Sequence, residues 1–529
     1  MQVGTDGPDP VEPGIDTIPQ AAARSRAVFG DLDALVGGDI RLTFREYVDR
    51  ARRVAGGLLG AGLVKGDRVA VWAPNSVDWA VTALGVHLSG CVLLPLNTRF
   101  TAREAAQMIV DADCRLVFTV GEFLGHRYQE SLTALYAGAE APAAPAPRIV
   151  RLDDTSMRTF LDSACSADDV AGAAAAVGPD DIATMLFTSG TTGRPKGAML
   201  RHRALLHGYW RWSGLTGLTA GDRFLVSNPF FHAFGLKVGL LSALVQGATV
   251  HPVPVFDAEV VLDLIESERI TYFPGPPTVF QSLMASPTLA GRDISSLRTS
   301  VVGATSIRGA LIEDMYDVLG FERVHVPYGF TEATGLGTMT RAGDPRAVVA
   351  GTAGRPVPGL DMTLEREDGT PVGPGEEGEI VVRGQYVMAG YLDPATGRPV
   401  PVDPAVGLRS GDLGRWTPDG DLVVSGRIKD LVIVGGFNVY PAEVEAALCE
   451  HPAVASAAVI GMADERLGEV PVAFVVLGDL PGSDPGVAEG IRAWSRERLA
   501  NFKVPRRIVV VDALPLNASG KVVKAMLKV

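Results

Sequence analysis

From Thr43 to Gly60, apolar residues recur at steps of three and four, so Phe44, Val48, Ala51, Ala55 and Leu58 share one helical face. The run Arg68–Ala73 reads as a short buried strand, Asp78–Leu88 as an apolar helix and Cys91–Leu96 as a second strand. Strand, helix and strand within about 30 residues make a βαβ unit, which predicts a parallel sheet. Ala- and Pro-rich stretches at 137–147 and 171–176 predict a surface excursion, not a core element. The helix–strand rhythm then runs from 181 to about 425. Within it, 361–426 carries short alternating runs such as EGEIVVRG and DGDLVVSG, which predict a smaller antiparallel β region.

The remainder reads as a separate unit. Its predicted elements are strand Asp430–Val434, helix Pro441–Glu450, strands Val454–Gly461 and Val470–Leu477, helix Val487–Leu499 and strand Arg507–Val511. That order, β-α-β-β-α-β, is a compact α+β unit. The expected fold class is α/β, with three parts. Residues 1–14 are a flexible leader. Residues 15–428 form a large N-terminal domain of mixed, largely parallel sheets flanked by helices, with the small β region. Residues 429–529 form a small α+β C-terminal domain.

Composition narrows the function. Of 529 residues, 47% are hydrophobic and 21% charged, which is globular. Lys plus Arg total 48 and Asp plus Glu 61, a formal net charge of −13, so a nucleic-acid partner is not expected. A local positive site can still hold a small anion. Cys91, Cys114, Cys165 and Cys449 are scattered, without a C-x-x-C pair, against structural zinc or a disulfide framework. Reduced thiols fit a cytoplasmic protein. The first 20 residues lack a basic and an apolar region, and no long apolar run predicts a membrane span.

Four motifs carry chemistry. Thr188, Ser189, Gly190, Thr191, Thr192 and Gly193, with Lys196, follow the apolar run Ile182–Phe187. Backbone N–H groups and hydroxyls of such a loop can wrap phosphate oxygens, although a polar Gly-rich turn looks the same. It is not a Walker loop, because Gly197 follows Lys196. In Tyr328-Gly329-Phe330-Thr331-Glu332, a carboxylate beside a hydroxyl suits magnesium and phosphate. Ser410-Gly411-Asp412, with Arg427, offers an Asp for two ribose hydroxyls or an ordinary turn Asp. Lys521, in Ser519-Gly520-Lys521, is a candidate cation or a solvated tail charge.

Together and in this order, these motifs resemble the adenylate-forming superfamily of acyl-CoA synthetases, carrier-protein-loading adenylation domains and beetle luciferases. Asn228–His232, Gly378–Ile380, Gly390–Leu392 and Gly435–Glu445 extend the likeness from about residue 15 to the end. The resemblance implies ATP, Mg2+ and coenzyme A as cofactors and a small carboxylic acid as substrate. It implies that the 188–193 loop and Lys196 hold the β- and γ-phosphates, Thr331 the α-phosphate and Glu332 the magnesium. Asp412 and Arg427 would hold ribose, and Gly303, Ala304, Thr305, Tyr328 and Gly329 would line the adenine and acyl sites. Lys521 would bridge the carboxylate and the α-phosphate. A mobile C-terminal domain would turn about a hinge at Lys429, and Gly435 and Gly436 would line the pantetheine tunnel. A homodimer is left open.

For the acid, the resemblance makes His232 a gate and Phe234 a wall of the acyl pocket. Lys237 sits in the apolar stretch Phe234–Leu241, where an unpaired lysine is expensive. Either it snorkels to solvent or it meets a substrate oxygen. The Phe231–Lys237 segment, Gly275–Pro277 and Gly435–Pro441 are similar to actinobacterial acyl-CoA synthetases of steroid ring degradation, which activate a bicyclic indanedione propanoate. Fatty acids, a free-standing carrier-protein loader and a non-catalytic nucleotide binder are the competing readings. Two departures stand out: Ser410 where Thr is usual, and the Pro-rich stretch Asp393–Val406.

Overall fold

The computed structural model describes residues 11–138, 141–153, 155–188, 195–303, 309–373, 375–434, 437–464, 466–478, 486–516 and 522–528. Its main sheet has eight strands. Arg148–Arg151, Cys114–Thr119, Arg68–Trp72, Val92–Pro95 and Ile182–Thr188 run parallel in that spatial order. Lys196–Arg201, Gly390–Asp393 and Arg398–Pro401 then continue it antiparallel. The expected βαβ unit is therefore present, and its central strands are apolar on both faces because helices cover both. The Pro-rich stretch after Asp393 supplies the outermost strand of this sheet. An edge tolerates Pro399 and Pro401, since a missing N–H there removes no inner ladder bond.

Helix Phe44–Gly60 begins at a capping box between Thr43 and Glu46, and its predicted face, including Val48, Ala51 and Leu58, is buried. It packs on helix Val77–Leu88 through Gly85, where a Cβ would lie 2.6 Å from the Val54 side chain. Glycine is required by that approach. The Ala-rich segment near 171–176 is more regular than its composition suggested. Ser166 caps a helix, Ala167–Ala175, whose Val170 alone is buried. It remains on the surface, as expected. Val11 and Ile15 pack against the main core, and Glu12 pairs with Arg24.

A second sheet holds Ile40–Thr43, Asp33–Gly37, Thr249–Pro252 and Arg223–Val226, and Tyr272 links it to the parallel pair Thr299–Val301 and Arg323–His325. Its core includes Leu225, Ile265, Phe273, Phe280 and Ile312. The predicted β region is a four-stranded antiparallel sheet of Leu360–Glu365, Gly378–Gly384, Leu408–Trp416 and Leu422–Arg427.

The C-terminal unit has its own core of Val432, Val444, Leu448, Val459, Val475 and Ile491. One strand was not foreseen: Phe437–Val439 pairs antiparallel with Val432–Val434. Three residues beside two glycines are too short for an alternating pattern to register. The order is thus β-β-α-β-β-α-β.

Candidate active site

Thr188 ends a parallel strand, the end at which open α/β sheets bind ligands. It pairs across the ladder with Lys196, so the phosphate-loop motif joins two neighbouring strands. Thr188 Oγ1 donates to Glu332 Oε1 at 3.0 Å, and Tyr391 Oη donates to the same oxygen at 2.8 Å. Lys196 Nζ lies 5.3 Å from the Tyr391 ring centre. Burial first, and then the Glu332 charge, push the Tyr391 hydroxyl pKa upward, which keeps it a donor. Glu332 Oε2 accepts no hydrogen bond among the described residues, which leaves one hard oxygen for a cation. Magnesium takes few protein ligands and completes its shell with phosphate and water, so this donor fits it. No group of three or more His, Cys, Asp or Glu residues forms an all-protein metal cage among the described residues.

The backbone here turns sharply. Thr331–Ala333 is one 3-10 turn, followed by Thr334 at φ +58°. The chain doubles back so closely that a Cβ on Gly329 would lie 2.3 Å from the Gly335 carbonyl. The Thr334 carbonyl accepts Tyr209 Oη and Lys237 Nζ, both at 2.9 Å, and its Oγ1 donates to the Tyr386 carbonyl. Met388 N donates to the Glu332 carbonyl at 2.8 Å.

The structure removes one of the two readings left open for Lys237. It does not snorkel: it is 1% exposed and its amine rests on a backbone carbonyl. Burial pushes its pKa down to about 7, against the upward pull of Glu332. The predicted helix Phe234–Leu241 is a π-helix, a widened turn often found at functional sites. His232 precedes it, half-buried, and its Nδ1 accepts from Phe234 N at 3.3 Å.

A third cluster forms beside these. Asp412 and Arg427 are ladder partners, and Arg427 Nε lies 3.2 Å from Asp412 Oδ1. Tyr328 Oη donates to Asp412 Oδ2 at 2.8 Å. Burial and then the Asp412 charge push the Tyr328 pKa well up. Ser410 keeps a hydroxyl here: its Oγ accepts from Asp412 N at 3.0 Å. Gly411, at φ +75°, donates its N–H to Glu379 Oε1 at 3.0 Å. Gly303 packs against Pro327, one residue from Tyr328.

The structure thus joins Thr188, Lys196 and Glu332 in one group and Tyr328, Asp412 and Arg427 in another. Tyr391, Glu379, Tyr209 and Tyr386 were missed as supports. Gly378–Ile380 and Gly390–Leu392 marked two of them, since both stretches stood out as motifs. Ser189, Gly190, Thr191, Thr192, Gly193, Ala304, Thr305, Gly435, Gly436 and Lys521 lie outside the described residues. Lys429 is exposed in the 3-10 turn Ile428–Asp430, which links the antiparallel sheet to the C-terminal unit.

At the end of a parallel strand, Thr188 and Tyr391 thus gather on Glu332 beside Lys196, and Tyr328 and Arg427 gather on Asp412. The chain belongs to the AMP-binding enzyme family: that family's profile matches residues 22–392, and the AMP-binding enzyme C-terminal domain profile matches 443–521. It is an AMP-forming acid–thiol ligase that uses ATP, Mg2+ and coenzyme A. It is 41% identical over 525 residues to the 3-[(3aS,4S,7aS)-7a-methyl-1,5-dioxo-octahydro-1H-inden-4-yl]propanoyl:CoA ligase of Rhodococcus jostii, covering 97% of this chain and 98% of that one. The Mycobacterium tuberculosis ligase of the same name is 42% identical over 518 residues, with 97% and 98% covered. Among solved structures, Bacillus subtilis o-succinylbenzoate CoA synthetase in complex with ATP and magnesium is similar at a TM-score of 0.79 and 28% identity, over 96% and 98% of the chains. No helix among the described residues is long and apolar enough to cross a membrane.

Proposed function

We propose that this ligase activates a steroid-derived bicyclic indanedione propanoate as its coenzyme A thioester. The observation that carries the substrate is the similarity, over nearly the whole length, to two ligases named for that acid. The substrate carboxylate attacks the α-phosphorus of ATP and pyrophosphate leaves. The thiol of coenzyme A then attacks the acyl carbon and AMP leaves.

In this reading, the 188–193 loop and Lys196 bind the β- and γ-phosphates, and Thr331 the α-phosphate. Glu332 holds magnesium, which when bound neutralises phosphate charge. The hydrogen bond from Thr188 to Glu332 supports this, because it ties the phosphate loop to the metal carboxylate. Asp412 and Arg427 bind ribose, while Tyr328, Gly329, Gly303, Ala304 and Thr305 enclose adenine. His232 and Phe234 line the acyl pocket, a role supported by the widened helix that Phe234 opens and His232 precedes. Lys521 steadies the charge that grows on the α-phosphate in the transition state.

Two half-reactions share one site, so residues 429–529 turn about Lys429 between them and bring Gly435 and Gly436 to the pantetheine arm. The short exposed turn at Lys429 supports a hinge. Proline there would lock φ. Lys429→Pro is expected to slow thioester formation more than adenylation in single-turnover assays; equal slowing would remove the hinge. The same reading includes a cytoplasmic location, supported by cysteines scattered without a C-x-x-C pair, and a homodimer, which light scattering on purified protein would test.

The direct test is AMP release across medium and long fatty acids, aromatic acids and indanedione propanoates. The expected result is release that needs both coenzyme A and the bicyclic acids. Preference for plain fatty acids would discard the substrate. Pyrophosphate release without any coenzyme A thioester would point to a carrier-protein loader.

A further inference from the structure

Among the described residues, Lys237 donates one amine proton, to the Thr334 carbonyl, and no other. Lys237 also lines a cavity of about 30 Å³, together with Thr184 and His87 and apolar residues such as Leu84, Leu205 and Leu240. Both polar neighbours are unsatisfied: Thr184 Oγ1 and His87 Nδ1 are buried without a hydrogen-bond partner among the described residues. The His202 ring lies 5.8 Å from that of His87, and its Nε2 is also without a partner among the described residues. His202 Nδ1 accepts from Ile18 N at 3.4 Å, so a neutral ring carries its proton on Nε2. Burial pushes both histidines down to about 3, so neither competes for positive charge at neutral pH.

Unused donors thus border the same cavity as unused acceptors. Buried polar groups are rarely left this way, and a cavity of this size holds a water molecule when several polar atoms line it. Thr184 also lies on the strand that ends at Thr188, an even number of residues away and so on the same face of the sheet. The carbonyl that accepts from Lys237 belongs to Thr334, whose positive φ is uncommon for a β-branched residue and persists only where neighbours over-determine it.

We propose that this cavity is an internal hydration site, and that Lys237, with its water, is a positioning residue for the Thr331–Glu332 turn. Water accepts from the Lys237 amine and donates to Thr184 Oγ1 or His87. The hydrated amine and Tyr209 hold the Thr334 carbonyl together. Glu332 is thereby kept at the phosphate loop. This inference rests on the reading of Glu332 as the magnesium carboxylate.

The test uses ATP–pyrophosphate exchange on the full chain with saturating acid and varied magnesium–ATP. Lys237→Met keeps length and removes the charge. Losing a charge-assisted bond is expected to raise KM for magnesium–ATP about tenfold. Thioester formation from supplied acyl-adenylate should change by less than about twofold, a change near the noise of single-site effects. Thr184→Val should raise the same KM by less. The double variant should be no worse than Lys237→Met, because the two share one water. Additive losses would overturn the shared water, and equal losses in both half-reactions, or an unchanged KM, would overturn the positioning role. If Lys237→Met does not fold, a high-resolution crystal structure of the natural chain decides: water density between Lys237 and Thr184 supports the site, and a dry cavity overturns it. Exchange that is indifferent to Glu332→Gln would instead sink the underlying reading of Glu332, whatever the Lys237 variants do.

Discussion

Lys521→Ala is expected to lose about a thousandfold in acid-dependent adenylation and to keep most of its thioester formation from supplied acyl-adenylate. The reason is electrostatic. A cation about 4 Å from a developing anion, at an effective dielectric near 20, is worth roughly 4 kcal/mol. That is about three powers of ten in rate. In the proposed mechanism the lysine would be needed while the carboxylate and α-phosphate carry like charges that must approach. It would not be needed once the mixed anhydride exists, and the turned C-terminal domain would have withdrawn it. Rapid-quench measurement of each half-reaction separates the two. Parallel loss of both would assign Lys521 to general stability or nucleotide binding.

Glu332→Gln is expected to weaken magnesium–ATP use while leaving the fold intact. Gln keeps an oxygen for Thr188 Oγ1 and Tyr391 Oη, the two donors that anchor this side chain. What disappears is the negative charge. Charge-assisted contacts contribute about 1.5–3 kcal/mol, so the loss in kcat/KM should be about tenfold to a hundredfold. The dependence on free magnesium should shift to higher concentration, with Tm within a few degrees of the natural chain. A lower rate with an unchanged magnesium profile would make Glu332 a structural anchor for the loop.

The helix Phe44–Gly60 and the βαβ unit after it were legible because their patterns are long and regular, and the burial of Phe44, Val48 and Leu58 follows directly from that spacing. The antiparallel region after residue 360 was legible for the same reason, through alternation with a period of two. The hairpin partner Phe437–Val439 was not, because three residues hold no period. The π-helix at Phe234–Leu241 looked like an ordinary apolar helix, since one extra residue per turn leaves almost no trace in eight residues.

The site divides along the same line. Local motifs name Thr188, Lys196, Glu332, Asp412 and Arg427, because each sits in a short run of residue types that the family resemblance singles out. The order of the motifs was enough to assign the family. Only the tertiary structure decides who supports them. Tyr391 reaches Glu332 across 59 positions of sequence, and Tyr328 reaches Asp412 across 84. Lys237 makes the point most sharply. Its cost inside an apolar helix is readable from sequence, but its partner is a carbonyl 97 residues away. Periodicity and motif report what each segment needs; which distant segment satisfies that need is settled by packing, where the geometry of one buried hydrogen bond depends on every element around it.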